Sequence, residues 1–168
     1  MISNSAGADF QLTFTCGDQR ANSSFFDVEP AYLGFDRAIE PAGRLVAGAA
    51  FPTQPVVKLL QNDGSTTLST HRTTYVKVAK HSGVGTLNQG SDHCNGTNCQ
   101  IRVTNGIATF VNLTMHGVAE NNVTLRFQSG STMNYSAMLT VWPAKIKIWT
   151  QPKDTDCGAQ LDSQPSVE

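Results

Sequence analysis

An all-β, antiparallel β-sandwich is predicted by three features of the sequence. Apolar and polar residues alternate in short runs, Gly, Asn, Asp and Pro punctuate those runs, and no window sustains a 3.6-residue apolar period. Composition points the same way: 39% of the 168 residues are apolar and 15% charged, with a net charge of −1 and 14 glycines. Low charge and abundant Ser and Thr fit an extracellular β domain better than a cytosolic helical one. A near-neutral chain has no electrostatic drive toward nucleic acid or an anionic membrane. No run approaches the roughly 18 apolar residues of a spanning helix, so membrane insertion is not expected. The opening residues lack the charged start and apolar core of a signal peptide.

Taken in order, residues 9–15 alternate Phe10, Leu12 and Phe14 against Gln11, Thr13 and Thr15, which predicts a half-buried strand. Gly17 and Asp18 open a loop, residues 24–28 form the strand's partner, and Pro30 ends it. Residues 32–44 read as an extended linker with a short strand, closed by Pro41 and Gly43. Gly48 and Pro55 bracket a strand that breaks and resumes, since Gly permits a kink and Pro52 and Pro55 confine that part to a sheet edge. Residues 56–60 continue inward to a turn at Asn62-Asp63-Gly64, and residues 74–80 alternate again. Residues 81–99 read as a long loop. Residues 100–104 and 107–113, joined by Asn105-Gly106, form the clearest hairpin, because Asn-Gly readily takes the positive φ angles of a type I′ turn. Val123, Leu125 and Phe127 then alternate along a strand paired with residues 135–141, and residues 145–148 leave as a last alternating strand.

The chain also repeats itself. Residues 11–30 match 124–143 without a gap, sharing Leu, Phe, Gly, Ser, Val and Pro in register, and residues 47–58 match 157–168 through Gly, Ala, Gln, Pro and Val. The offsets are 113 and 110 residues, about the size of one small sandwich. Three segments follow: 1–30 resembling the end of a preceding unit, 31–143 a complete unit, and 144–168 the start of a following one. Unfinished units carry unpaired strand edges, which invite pairing with another chain.

The patterns A-G-x-x-F-x-x-Q-P-x-V at 47–57, N-G-x-A-x-F at 105–110 and L-x-F at 125–127 resemble the Ig-like repeats of large extracellular surface proteins. Such repeats occur in adhesins, surface arrays and flagellar-hair filaments. The resemblance implies an Ig-like/jelly-roll antiparallel β-sandwich with extra terminal strands, a structural or spacer role and no catalytic residues.

The four cysteines are Cys16, Cys94, Cys99 and Cys157. Cys94 and Cys99 enclose a four-residue loop that brings them within disulfide range; the rival reading is a metal site with Asp92 and His93, which lacks a second cysteine knuckle. Cys16 and Cys157 align with Ser129 and Ala47, so each partial unit carries a thiol where the complete unit has none; a disulfide between successive chains is the expectation. Five Asn-X-Ser/Thr sequons, at Asn22, Asn95, Asn112, Asn122 and Asn134, point to N-linked glycans on a secreted surface, provided that Asn112, placed within a strand, faces solvent. No His pair, G-x-S-x-G elbow or phosphate loop appears, so neither enzyme nor cofactor is expected. Asp63, Asp92 and Glu120 lie in predicted turns, where calcium competes with simple solvation. Trp142 and Trp149, flanking Pro143, suit packing between units or stacking on sugars.

The function expected from sequence is therefore a structural subunit of an extracellular or cell-surface filament or array, built by strand exchange between copies of itself head to tail. Phe10, Leu12, Phe14, Phe25, Phe26 and Val28 would supply the inserted apolar face. The alternatives are a fragment of a tandem-repeat adhesin and a carbohydrate-binding module whose partners are glycans.

Overall fold

The computed structural model describes residues 5–39, 45–71, 74–89, 94–95, 98–117, 120–150 and 166–167. Its strands in chain order are β1 (Ser5–Phe10), β2 (Thr13–Cys16), β3 (Gln19–Asn22), β4 (Phe26–Val28), β5 (Tyr32–Arg37), β6 (Leu45–Val46), β7 (Val56–Leu60), β8 (Ser69–His71), β9 (Tyr75–Ser82) and β10 (Thr86–Gln89). There follow β11 (Cys94–Asn95), β12 (Asn98–Arg102), β13 (Ile107–Thr109), β14 (Leu113–His116), β15 (Glu120–Ser129), β16 (Thr132–Tyr135), β17 (Leu139–Trp142), β18 (Ile148–Thr150) and β19 (Ser166–Val167). The chain is all-β, with no helix among the described residues.

Two layers form around one core. The larger sheet runs β11-β12-β9-β15-β17-β6, with β16 also paired to β15; against it pack β13-β7-β5 and the pair β10-β14. Alternation explains which side chains point inward. Val76 and Val78 of β9 and Val123, Leu125 and Phe127 of β15 are fully buried, as are Val57, Leu59 and Ala108 from the facing strands. Phe127 bridges the layers, meeting Phe35 edge-on at 5.1 Å between ring centroids and Phe110 at 5.6 Å. Edge-to-face rings of this kind add to the stabilisation that burial alone provides.

Turn chemistry fixes how the chain changes layer. Gly48, at φ +80, ends β6, which runs parallel to β17, and lets the chain cross to the facing layer, where Ala50 bridges Thr114. The kink expected at Gly48 is thus a change of sheet. Asn105 (φ +50) and Gly106 (φ +76) both take positive φ, and Thr104 and Ile107 exchange both backbone hydrogen bonds, as a type I′ turn requires. The expected hairpin around that turn is nevertheless one bridge long: β12 stays with β9 while β13 pairs β7.

Other expectations are refined or corrected. The short strand expected within residues 32–44 is Tyr32–Arg37, which pairs β7 and buries Leu33; Pro41 and Gly43 lie outside the described residues. The 81–99 stretch holds β10, β11 and the start of β12, and Leu87, its one apolar inward residue in β10, is buried. Residues 145–147 lie outside any strand, and Ile146 is 70% exposed. Asn112 lies in an exposed bend between β13 and β14 rather than within a strand.

The repeat read in the sequence is present in the backbone. In β15–β16, Arg126, Phe127, Gln128 and Ser129 face Tyr135, Asn134, Met133 and Thr132; in β2–β3, Thr13, Phe14, Thr15 and Cys16 face Asn22, Ala21, Arg20 and Gln19. Every pair moves by 113 residues. The irregularity moves with it: Glu120↔Val141 and Val123↔Leu139 in β15–β17 reappear as Gly7↔Val28 and Phe10↔Phe26 in β1–β4, with positive φ at both Asn122 and Asp9. So do the hydrogen bonds. The amide of Leu125 donates to Ser136 Oγ at 3.0 Å and the Ser136 amide to Leu125 O at 2.9 Å; Leu12 and Ser23 do the same at 2.9 and 2.8 Å. At the other end, Phe35↔Val57 and Arg37↔Val56 reappear as Ile148↔Val167 and Thr150↔Ser166.

Candidate assembly surfaces

The copies share a backbone and differ in what covers them. Phe127 and Leu125 are fully buried, whereas their counterparts Phe14 and Leu12 are 60% and 41% exposed. Phe10, Phe26 and Val28 are half-buried where Val123, Leu139 and Val141 of the second copy lie in the core, while Phe25 and its counterpart Met138 are both exposed. Residues 9–15 are therefore not the single half-buried strand expected: they break at Gln11-Leu12, and the core cluster contains none of the described residues before Leu33. A third difference concerns edges. β15 is hydrogen-bonded on both sides, to β9 and to β16 and β17, while β2 pairs only β3 among the described residues. β1 gains a second neighbour through a short parallel ladder to β8.

Besides that ladder, the first copy is held to the rest of the chain by a clamp. Glu29 accepts hydrogen bonds from the amide and hydroxyl of Ser131, Thr132 Oγ1 donates to Pro30 O at 2.6 Å, and Asn134 Nδ2 donates to Leu33 O at 2.7 Å. The Ser131 hydroxyl, then its amide, hold the Glu29 carboxyl below the usual carboxylate range. A side chain at Gly130 would run into Glu29.

At the far end of the same unit lies an open cleft of about 600 Å³, lined by Val46, Trp142, Pro143, Ala144, Lys145 and Ile146. Trp142 is 44% exposed there; the side chain of Trp149 lies outside the described residues.

Among the predicted covalent sites, Cys99 is fully buried and disulfide-bonded, and Cys94 stands opposite it in the β11–β12 ladder. Cys16 is a free, exposed thiol. Cys157 lies outside the described residues, as do Asp92, His93 and the side chains of Asn95 and Glu120. Asn22, Asn112 and Asn122 are exposed. Asn134 is half-buried, and its Nδ2, the atom that would carry a glycan, is committed to Leu33. Asp63 is spent on its own turn: its carboxyl accepts from the Thr66 hydroxyl and from the amides of Thr66 and Ser65, which lowers its pKa to about 2. Among the described residues no three His, Cys, Asp or Glu side chains are grouped to hold a metal.

The clamp is a feature that sequence reading missed, although Glu29 could have been noticed because it precedes the repeated Pro30. No family model matches the chain, and no curated protein matches it.

Proposed function

We propose that the chain is a structural, non-catalytic subunit of an extracellular, glycosylated filament or surface array, in which Ig-like units divided at 1–30, 31–143 and 144–168 join head to tail through copies of the same chain. One observation carries this reading: β1–β4 reproduce the registers within β15–β17 while leaving Phe14 and Leu12 in solvent and the outer edge of β2 without a strand among the described residues. An edge strand and an apolar face together are what strand addition uses, main-chain bonds giving affinity and alternate side chains giving register. A contact of this head-to-tail kind, repeated by every subunit, grows an open filament. Surface glycans at Asn22, Asn112 and Asn122, and a Cys94–Cys99 bond closing the β11–β12 hairpin, belong to the same proposal and to an oxidising compartment.

A second reading has its own support. By the two sequence offsets the end segments together stand for 31–58 and 114–143 and leave out the counterparts of 59–113, so a tandem array within a longer polypeptide would complete each unit more fully. The geometry also disfavours Cys16–Cys157 as a bond inside one composite unit. Their counterparts flank the ten-residue strand β15, with Ser129 at one end and Ala47 bonded to Trp142 O near the other; by strand rise that is about 30 Å.

Electron micrographs and sedimentation of wild type and a Phe14→Asp/Phe25→Asp variant test the reading. Filaments or long oligomers from wild type, lost in the variant while the unit's melting point holds, support it. Compact monomers at every concentration contradict it.

A further inference from the structure

We propose that the cleft lined by Trp142 to Ile146 receives the Cys16-Gly17-Asp18-Gln19 turn of a second copy of the chain, in a junction that the molecule already forms once within itself. The inference deepens the head-to-tail reading and rests on it. Residues 142–146 are the 113-residue counterparts of 29–33, where Pro30 and Leu33 are buried; the Ser129–Thr132 turn is seated on this segment by the bonds of Ser131 to Glu29 and of Thr132 to Pro30, and Asn134 adds one to Leu33. Pro143 is exposed where Pro30 is buried, and Ile146 is 70% exposed where Leu33 is 5% exposed.

The missing partner has its own counterpart in the chain. Gly17 and Gly130 have the same φ of +58 in turns of identical register, yet a side chain at Gly130 would strike Glu29 while one at Gly17 would meet nothing within 4 Å. Among the described residues one turn is seated and its copy is not, and the proline of one cradle is buried while that of its copy is exposed. Placing the open turn on the open cradle sets Asp18 beside Trp142 and Gln19 beside the carbonyl of Pro143, by the contacts Ser131–Glu29 and Thr132–Pro30. Glu29 is replaced by Trp142 at the second cradle, so apolar contact there takes over from the charge-assisted bonds.

Two full-length variants test this, both carrying Cys16→Ser and Cys157→Ser, one with Asp18→Cys and the other with Trp142→Cys. Mixed and oxidised, they are expected to give a disulfide-linked heterodimer as the main product, while Ser65→Cys in place of Asp18→Cys gives none. In parallel, Trp149→Phe leaves Trp142 as the sole indole, and its emission is expected to shift to the blue as concentration rises. No crosslink above the Ser65→Cys control, with assembly still seen by sedimentation, overturns this junction and leaves the filament. No crosslink and no assembly overturns both.

Discussion

Single residues decide where this backbone can bend. Gly106 combines φ +76 with a Cβ direction that points into the backbone oxygen of Leu68, and its own carbonyl accepts from the Leu59 amide at 2.8 Å. Gly106→Ala is therefore expected to cost at least about 2 kcal/mol, the strain of a left-handed non-glycine residue plus a displaced strand. Gly17→Ala, with open space around it, is expected to cost only the conformational term of roughly 1–2 kcal/mol. Thermal melts of the two variants check the difference. Glu29 gives a pH signature. Its carboxyl is held below its ordinary range when folded, so the clamp's contribution is complete above the unfolded carboxylate pKa and is lost as pH falls through the lowered folded value. Amide exchange at Ser131 should accelerate across that acid window in wild type and be insensitive to it in Glu29→Gln. The same sign holds for Asp63, whose turn should loosen only as pH approaches about 2.

At the scale of strands, two copies of one sequence pattern have opposite fates because packing, not propensity, sets their burial. Phe127→Ala removes a ring that touches both Phe35 and Phe110 and is expected to cost roughly 3–5 kcal/mol. Phe14→Ala, at the identical register position, should leave the unit's melting point nearly unchanged and weaken association instead. Chemical denaturation and sedimentation on the same pair of proteins separate the two effects. This contrast also explains what could be read in advance. Val76, Val78, Leu125 and Phe127 announced the core by alternation, and Asn105-Gly106 announced its turn. The burial of residues 9–15 was misread because alternation reports a face and cannot say whether anything covers it. β3 was missed because Gln19-Arg20-Ala21-Asn22 has no apolar face at all, and β10 because Leu87 stands alone among polar neighbours.

Across the whole molecule, the 113-residue period organises core, clamp and cleft. The core cluster draws on residues from Leu33 to Val141, and β2–β3 before it and β18–β19 after it repeat ladders found inside that span. The surface carries exposed sequons at Asn22, Asn112 and Asn122, so native material digested with an amidase should release glycan from these and spare Asn134, whose amide is engaged. Peptide mass mapping of the digested protein checks the pattern. The exposed β2 edge remains the feature on which the molecular account turns. Hydrogen exchange at the amides of Thr13 and Thr15, followed from dilute to concentrated protein, measures whether that edge finds a partner. Protection rising with concentration toward that of the doubly bonded β15 is the predicted result; rapid exchange at every concentration, with the protein remaining a compact monomer, would contradict it.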